Sequence, residues 1–496
     1  MSPTKQAEVP LRHPNRLFIG GQWVAPSSTA TIEVIDSATE QTLFHVAEAT
    51  AEDMARAVAA ARDAFDNGPW PRLSHAERAG YLRAFAEGWR ERAADIGQLW
   101  PRESGALHAL AEPFTRRAAA EWDYYAGLAD TYPFEEPVQP TAGGEFGLLV
   151  REPVGVVGAI IPWNGPVSSI SHKVAPALLA GCTVVLKSAP EAPGEGLVAA
   201  EIAEKIGLPP GVFNVVTADR EVSELLVRDP RVDKISFTGS TAAGRRIGAL
   251  CGDRIARVSL ELGGKSAAVI LDDADLAHAA TTLATAECLL SGQVCSSLTR
   301  IVVSRNRHDE LVDALASTFA EVRVGDPYDA QTQMGPLAAD RQRTRVEGYI
   351  AKGIEQGAKL VAGGSRPRHL DRGYYVEPTV FAEVDNSHAI AQEEIFGPVL
   401  TVIPAVDEAD AVRIANDTVY GLNASVFTAD PDRARAVAGQ LRSGTVGHNA
   451  MRMDFGIAFG GFKQSGIGRE GGTEGLRLYL EPKTVILDGI PAGYRT

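Results

Sequence analysis

Cys295 lies in "SGQVCSS", residues 291–297, directly after "TTLATAECLL", which reads as a helix. A free cysteine is usually a small buried hydrophobe. That reading suits Cys182, Cys251 and Cys288, which sit in apolar or helical runs. It suits Cys295 less well, because its neighbours are Gly, Gln and two serines. A thiol beside backbone N–H donors can be reached from solvent, held as thiolate and used as a nucleophile. Four widely spaced cysteines do not make a disulfide framework. No CxxC pair or His/Cys cluster offers a metal site, so no metal is expected.

Other stretches offer partners for such a thiol. In "VSLELGGKS", Glu261 stands between Leu260 and Leu262. A partly desolvated carboxylate there has a raised pKa and suits a general base; a structural ion pair fits the spacing equally. In "IIPWNGP", Asn164 sits between two prolines that restrict the backbone. Its amide is either a donor to a developing oxyanion or an ordinary turn residue. Lys187 in "VVLKSAPEAP" ends a strand and either meets a ribose or phosphate or is simply solvated. "FTGSTAAG", residues 237–244, follows a strand and opens a helix, so Gly239, Ser240 and Gly244 bracket a turn able to receive phosphate. It is not G-x-G-x-x-G, and an ordinary strand–helix turn reads the same way.

The elements that would carry these residues alternate from residue 150 onward. "VGVVGAIIPW", "TVVLKS", "FNVVT" and "VDKISFTGS" read as strands. "SISHKVAPALLAG", ending at Gly181, "GEGLVAAEIAEKIG" and "EVSELLVRD" read as the helices between them. Repeated strand–helix units with apolar strands predict an α/β fold with a parallel sheet, whose ligands bind at the carboxyl ends of the strands. Upstream, "FIGGQWV" and "ATIEVID" read as strands closing on a turn. "TAEDMARAVAAARDAF" reads as a helix capped by Thr50. "SHAERAGYLRAFAEGWRERAADIGQLW" reads as one helix, capped by Ser74 with Glu77. A second α/β region from about residue 264 contains the helices "RHDELVDALASTFAEV" and "TRVEGYIAKGIEQGA", and "YLEPKTVILDG" is a late strand.

The chain has 496 residues, enough for two to four domains. Its formal net charge of −15 argues against a phosphate-tracking surface, so nucleic-acid binding is not expected. The N-terminal stretch has no signal-type apolar core, and "VGVVGAIIPW" is too short to span a bilayer, which takes about 20 residues. These features predict a reduced, cytoplasmic protein without a membrane partner.

Taken together, "PWNGP", "LKSAPEAP", "FTGSTAAG", "LELGGKS", "GQVCSS", "EEIFGPV", "YGLNASVFT" and "FGGFKQSGIGREGG" resemble the aldehyde dehydrogenase superfamily, in its order and spacing. The resemblance runs from "LFIGGQWV" to "EPKTVIL", nearly the whole chain. It implies a Rossmann-type parallel-sheet domain binding NAD, with NADP possible, from 1–133 and 153–263. It further implies an α/β catalytic domain, 264–464, and a small strand oligomerisation region, 134–152 and 465–496, in a homodimer or homotetramer. Cys295 is then the nucleophile that attacks the aldehyde. Asn164 and the backbone N–H of Cys295 hold the thiohemiacetal oxyanion. Glu261 activates water to hydrolyse the thioester. Lys173 and Glu470 match a proton relay. Lys187 matches the adenosine-ribose lysine, and Trp163 and Ser240 the pyrophosphate neighbourhood. Glu394 and Phe396 match the nicotinamide-ribose and ring contacts, and Leu262 and Gly263 the nicotinamide packing surface.

The match departs in two places. Many NAD-preferring relatives carry Glu three residues after the lysine; here Pro190 stands there, with Glu191 one further on. A carboxylate on the ribose 2′-hydroxyl favours NAD, so its displacement opens NADP. The usual aromatic residues after the oxyanion Asn are replaced by Gly165, Ser168, Ser169 and His172, which implies a wider, more polar mouth. His172 itself reads equally as a packed histidine. Met451, Met453 and Phe455 offer an adaptable apolar wall, and Arg452 a contact for an anionic substrate. A medium-to-large or aromatic aldehyde is therefore expected. The competing readings are a CoA-acylating semialdehyde dehydrogenase, which tends to lack the hydrolytic Glu, and a non-catalytic structural protein on the same scaffold.

Overall fold

The computed structural model describes residues 9–495; residues 1–8 and 496, at the ends of the expected cofactor-binding and oligomerisation regions, lie outside it. Two large sheets organise the chain. The first has eight strands in the order Gly466–Ile467, Arg257–Glu261, Lys234–Thr238, Val156–Ile160, Thr183–Ser188, Phe213–Thr217, Leu17–Ile19 and Gln22–Val24. The five from Arg257–Glu261 to Phe213–Thr217 run parallel. They are apolar and almost entirely buried because helices cover both faces, which is what the near-continuous Val/Ile/Leu runs require. The chain runs outward from Val156–Ile160 through two strands, then returns to add Lys234–Thr238 on the other side. That reversal is a topological switch point, where a crevice opens at the carboxyl ends.

The second sheet has seven strands: Lys359–Ala362, Thr379–Ala382, Val399–Ala405, Arg300–Ser304, Ala267–Ile270, Asn423–Phe427 and Thr445–His448. All its pairs are parallel except the first. A three-stranded antiparallel sheet joins Leu480–Leu487, Phe146–Pro153 and Glu135–Val138.

The expected caps are present. Thr50 and Asp53 make a reciprocal capping box on helix Ala51–Asp66, and Ser74 and Glu77 make one on His75–Glu91. Gly181, in the left-handed region at φ 102°, ends the helix Pro166–Ala180.

Two expectations change. The long run from Ser74 to Trp100 is two helices, His75–Glu91 and Ala93–Ser104. The break falls at Arg92, whose guanidinium is drawn to Glu201, Asp95 and the Pro10 carbonyl. "FIGGQWV" is itself a hairpin, and "ATIEVID" pairs instead with Thr42–Ala47, in a separate two-stranded sheet. Gly466–Ile467 pairs with Leu260 and Glu261 at the edge of the first sheet. No helix among the described residues is long and apolar enough to cross a membrane.

Candidate active site

Four adjacent parallel strands deliver most of the site. In sheet order their carboxyl ends carry Glu261, then Gly239 and Ser240, then Trp163 and Asn164, then Lys187. Thr238 is in register with Glu261, Phe237 with Ile160, and Ile160 with Lys187. At about 4.8 Å per strand, this crest is about 14 Å long, which suits an elongated ligand. Ser240 caps helix Thr241–Asp253 by accepting from the Ala243 N–H, and Gly244 packs its bare Cα face against Leu262. The Thr238 hydroxyl is buried there without a protein partner.

Cys295 reaches this crest on a turn that only its own neighbours can build. Helix Leu276–Cys288 ends, and Leu290, Ser291 and Gly292 follow with φ of 49°, 56° and 71°. Ser291 donates to the carbonyls of Gly335 at 2.7 Å and Pro336 at 3.2 Å. Gln293, fully buried, donates to the Leu290 carbonyl at 2.8 Å and accepts from the Ala338 N–H at 2.9 Å. Asn164 Nδ2 donates to the Gln293 carbonyl at 2.8 Å, which places the amide two residues from the thiol. The Asn164 and Trp163 carbonyls are held in turn by Trp100 at 3.1 Å and Ser104 at 2.6 Å. An amide has two N–H donors, so one remains for a ligand.

The second lobe closes the other side. Glu394 and Phe396 follow the short helix Ala389–Gln392. Gln342, on helix Asp340–Glu355, donates to the Phe396 carbonyl at 2.5 Å, and Arg345 donates to the Glu394 carbonyl. Phe396 meets Trp163 edge to face, ring centroids 5.4 Å apart. The two glycines of "LELGGKS" follow from this crowding. A Cβ on Gly263 would lie 2.4 Å from the Glu394 carboxylate, and one on Gly264 2.3 Å from the Cys295 carbonyl. The Gly264 N–H donates to Glu394 Oε1 at 3.2 Å.

Electrostatics separate the roles. Glu261 is 3% exposed, and its Oε2 has no protein partner, so the ion-pair reading fails. Burial and the Glu470 charge push its carboxyl well above the usual range, while Lys173 and Arg469 pull it back. Lys187 is also buried rather than solvated, and burial lowers it to about 8. Burial raises Glu394 to about 7.

Cys295 is half-buried and so reachable, yet burial and the charges of Glu394 and Glu261 push its thiol up to about 12. Burial thus opposes the thiolate that the sequence context allows, and a neighbouring base would favour it. Cys182, Cys251 and Cys288 are buried, as expected of structural thiols.

Lys173 and Glu470 lie just below, paired with each other. Lys173 also donates to Ser236 at 3.4 Å, and the Glu470 backbone bridges to Phe459. His172 is buried and stacks on Phe455, centroids 3.6 Å apart. Met453 Sδ lies 2.8 Å from the Ser296 hydroxyl, next to the thiol, while Arg452 folds its stem along Gly447. Glu191, beside Pro190, is bound by Arg341 from the second lobe, Nε to Oε1 3.1 Å.

Sequence reasoning missed Gln293, Trp100 and Ser104. Gln293 alone left a signal: a polar residue inside a small-residue run next to a reactive cysteine.

Residues 23–485 match the model of the aldehyde dehydrogenase family. The chain is 44% identical to a geranial dehydrogenase of Castellaniella defragrans, covering 95% of this chain and 98% of that one. It is 43% identical to a 3-succinoylsemialdehyde-pyridine dehydrogenase of a Pseudomonas species, covering 96% and 99%. Its fold is similar to a Mycobacterium tuberculosis aldehyde dehydrogenase crystallised with NAD+, with TM-score 0.93, 46% identity and coverage of 97% and 99%. It is also similar to a cysteine-to-alanine variant of aldehyde dehydrogenase C from Pseudomonas syringae, crystallised with NAD+ and octanal, with TM-score 0.93, 41% identity and the same coverage. A thiol, an amide donor and a desolvated carboxylate meeting over the ends of a parallel sheet, matched across nearly the whole chain, have one reading: this protein belongs to the aldehyde dehydrogenase family and is an NAD(P)-dependent aldehyde-oxidising enzyme.

Proposed function

We propose that the enzyme oxidises a medium-to-large or aromatic aldehyde to its carboxylic acid, with NAD, through a covalent adduct on Cys295. The convergence of Cys295, Asn164 and Glu261 from three separate elements supports this above all. Glu261, the nearby base of raised affinity for protons, takes the thiol proton, and the sulfur adds to the aldehyde carbon. The free N–H of Asn164 and the backbone N–H of Cys295 meet the oxyanion; one such donor is worth about 2.7–4 kcal/mol. When bound, a nicotinamide would supply the hydride acceptor for oxidation of the adduct that Cys295 and Asn164 hold. Glu261, once it has shed the thiol proton, deprotonates the water whose oxygen bonds to the acyl carbon; the C–S bond breaks with its electron pair on sulfur and the acid is released.

The residues present fit that cofactor. The buried Lys187 ammonium and the capped helix at Ser240 suit ribose and pyrophosphate, and the unpartnered Thr238 hydroxyl adds a polar contact. Leu262, Gly263, Gly244 and the Phe396 and Trp163 rings frame the flat end, with Glu394 for its ribose. Glu191 keeps a carboxylate near Lys187, which favours NAD over a 2′-phosphate. The relatives named for geranial and for a pyridine semialdehyde, and the octanal-bound neighbour, support a substrate larger than acetaldehyde. We also infer a cytoplasmic enzyme in a homodimeric or homotetrameric state, divided into the cofactor, catalytic and oligomerisation regions set out above.

Two variants test the roles. Cys295→Ala is expected to lose turnover and keep NAD binding. Glu261→Gln is expected to slow turnover, and the acyl adduct that does form on residue 295 is expected to decay more slowly than in the wild type, followed by intact-protein mass spectrometry. Normal turnover in Cys295→Ala would sink the assignment. A CoA-acylating enzyme would instead need CoA for sustained NADH formation, and the presence of Glu261 argues against it.

A further inference from the structure

Hydrolysis at this site frees a proton on Glu261, which is 3% exposed and has no protein partner at Oε2. Glu261 also carries the thiol proton from the first half of the reaction and must shed it before it can take one from water. A line of buried polar groups runs away from it toward helix His108–Thr131. Glu470 comes first, close enough for its charge to act on Glu261, with its Oε1 paired to Lys173. Its other oxygen, Oε2, is 3.8 Å from His172 Nδ1. The far ring nitrogen, Nε2, is 2.8 Å from Glu121 Oε2. Both of these last atoms are buried, and their approach is too oblique to count as a formed hydrogen bond. The Tyr125 hydroxyl, one turn along from Glu121, is likewise buried and unpaired, and it abuts Gly475 beyond Glu470.

A purely structural histidine would have its nitrogens satisfied. Here the ring is fixed by its stack on Phe455, yet its two nitrogens face two carboxylates on opposite sides. That arrangement suits a group that passes a proton in one side and out of the other. Glu121 is the outermost member, with 16% of its side chain exposed.

We propose that Glu470, His172 and Glu121 carry to solvent the proton that Glu261 must shed before hydrolysis. This rests on the roles proposed for Cys295 and Glu261. In the step itself the water oxygen bonds to the acyl carbon and the C–S bond breaks with its electron pair on sulfur. Glu261 takes the water proton. That proton returns to the sulfur; the earlier one, taken from the thiol, moves from Glu261 to Glu470, on to His172 Nδ1, and leaves from Nε2 through Glu121 before the water is activated. The titratable groups around His172 are Glu121 and Tyr125 on the facing helix, Lys173 beside it, and Glu470. Arg117, one turn before Glu121, is turned to the Met453 carbonyl.

The test follows thioester decay by rapid quench and intact-protein mass spectrometry, across pH and imidazole concentration, with NADH from the first turnover read alongside. His172→Phe keeps a ring against Phe455 and removes both nitrogens; Glu121→Gln leaves the stack intact and guards against misfolding of the first variant. Both are expected to slow decay about tenfold or more in dilute buffer, with an altered pH profile, restoration by imidazole, and first-turnover NADH unchanged. Decay with wild-type rate and pH profile in both variants would overturn the path. So would a raised KM without imidazole rescue, which marks His172 as a wall of the substrate mouth only. If rapid quench of the wild-type enzyme traps no acyl adduct on Cys295, the parent reading falls, and the path with it.

Discussion

At the scale of single residues, the site stores protons where its chemistry needs them removed. The thiol of Cys295 is raised to about 12 and Glu261 is raised well above an ordinary carboxyl. Glu261 works only as the carboxylate, so kcat is expected to fall as pH drops through its elevated pKa; a pH–rate profile still flat well below neutrality would contradict this. Lys187 has the opposite sign. Its ammonium, lowered to about 8, is present below that pH and lost above it. NAD affinity measured by calorimetry should therefore weaken as pH rises past about 8, and Lys187→Met should flatten the curve. Asn164→Ala should lower kcat about 10²- to 10³-fold with a smaller change in KM, as expected of a donor to a developing charge. Chemically active side chains were legible in the sequence because their types are rare in such settings. The direction of the thiol shift was not, because it depends on Glu394, which lies about a hundred residues away and reaches the sulfur only through the fold.

Among the elements, the turn before Cys295 is the most demanding. Gly292 adopts φ 71°, and a Cβ there would come within 2.4 Å of the Gly397 carbonyl carbon. Gly292→Ala should lose about 2 kcal/mol or more of stability. It should also lower kcat about a hundredfold, since a thiol misplaced by about 1 Å costs that much. Thermal melting and steady-state kinetics on the purified variant check both. Strand–helix alternation and the caps at Thr50 and Ser74 were readable because each signal is local. The break at Arg92 was not, since the helical pattern continues through it and the cause is Glu201 on another helix. The pairing of Gly466–Ile467 with Arg257–Glu261 was equally hidden, because two residues carry no period.

Across the whole molecule, the three-stranded sheet leaves Leu480–Leu487 and Glu135–Val138 as open edges, with Ile486 and Val138 exposed. Open edges and exposed apolar side chains invite a second copy. Light scattering after size exclusion should give a dimer or tetramer, and Ile486→Glu should shift the mass toward monomer; a wild-type monomer would refute the assembly. The strand Gly466–Ile467 has a consequence for how this chain is born. The sheet that holds the base at residue 261 gains its last strand only when the polypeptide is almost finished. Without that segment, Leu260 and Glu261 lose their strand partners on this side and the edge of the sheet is left adhesive. Chains cut before residue 466 should therefore aggregate in light scattering where the longer chain does not.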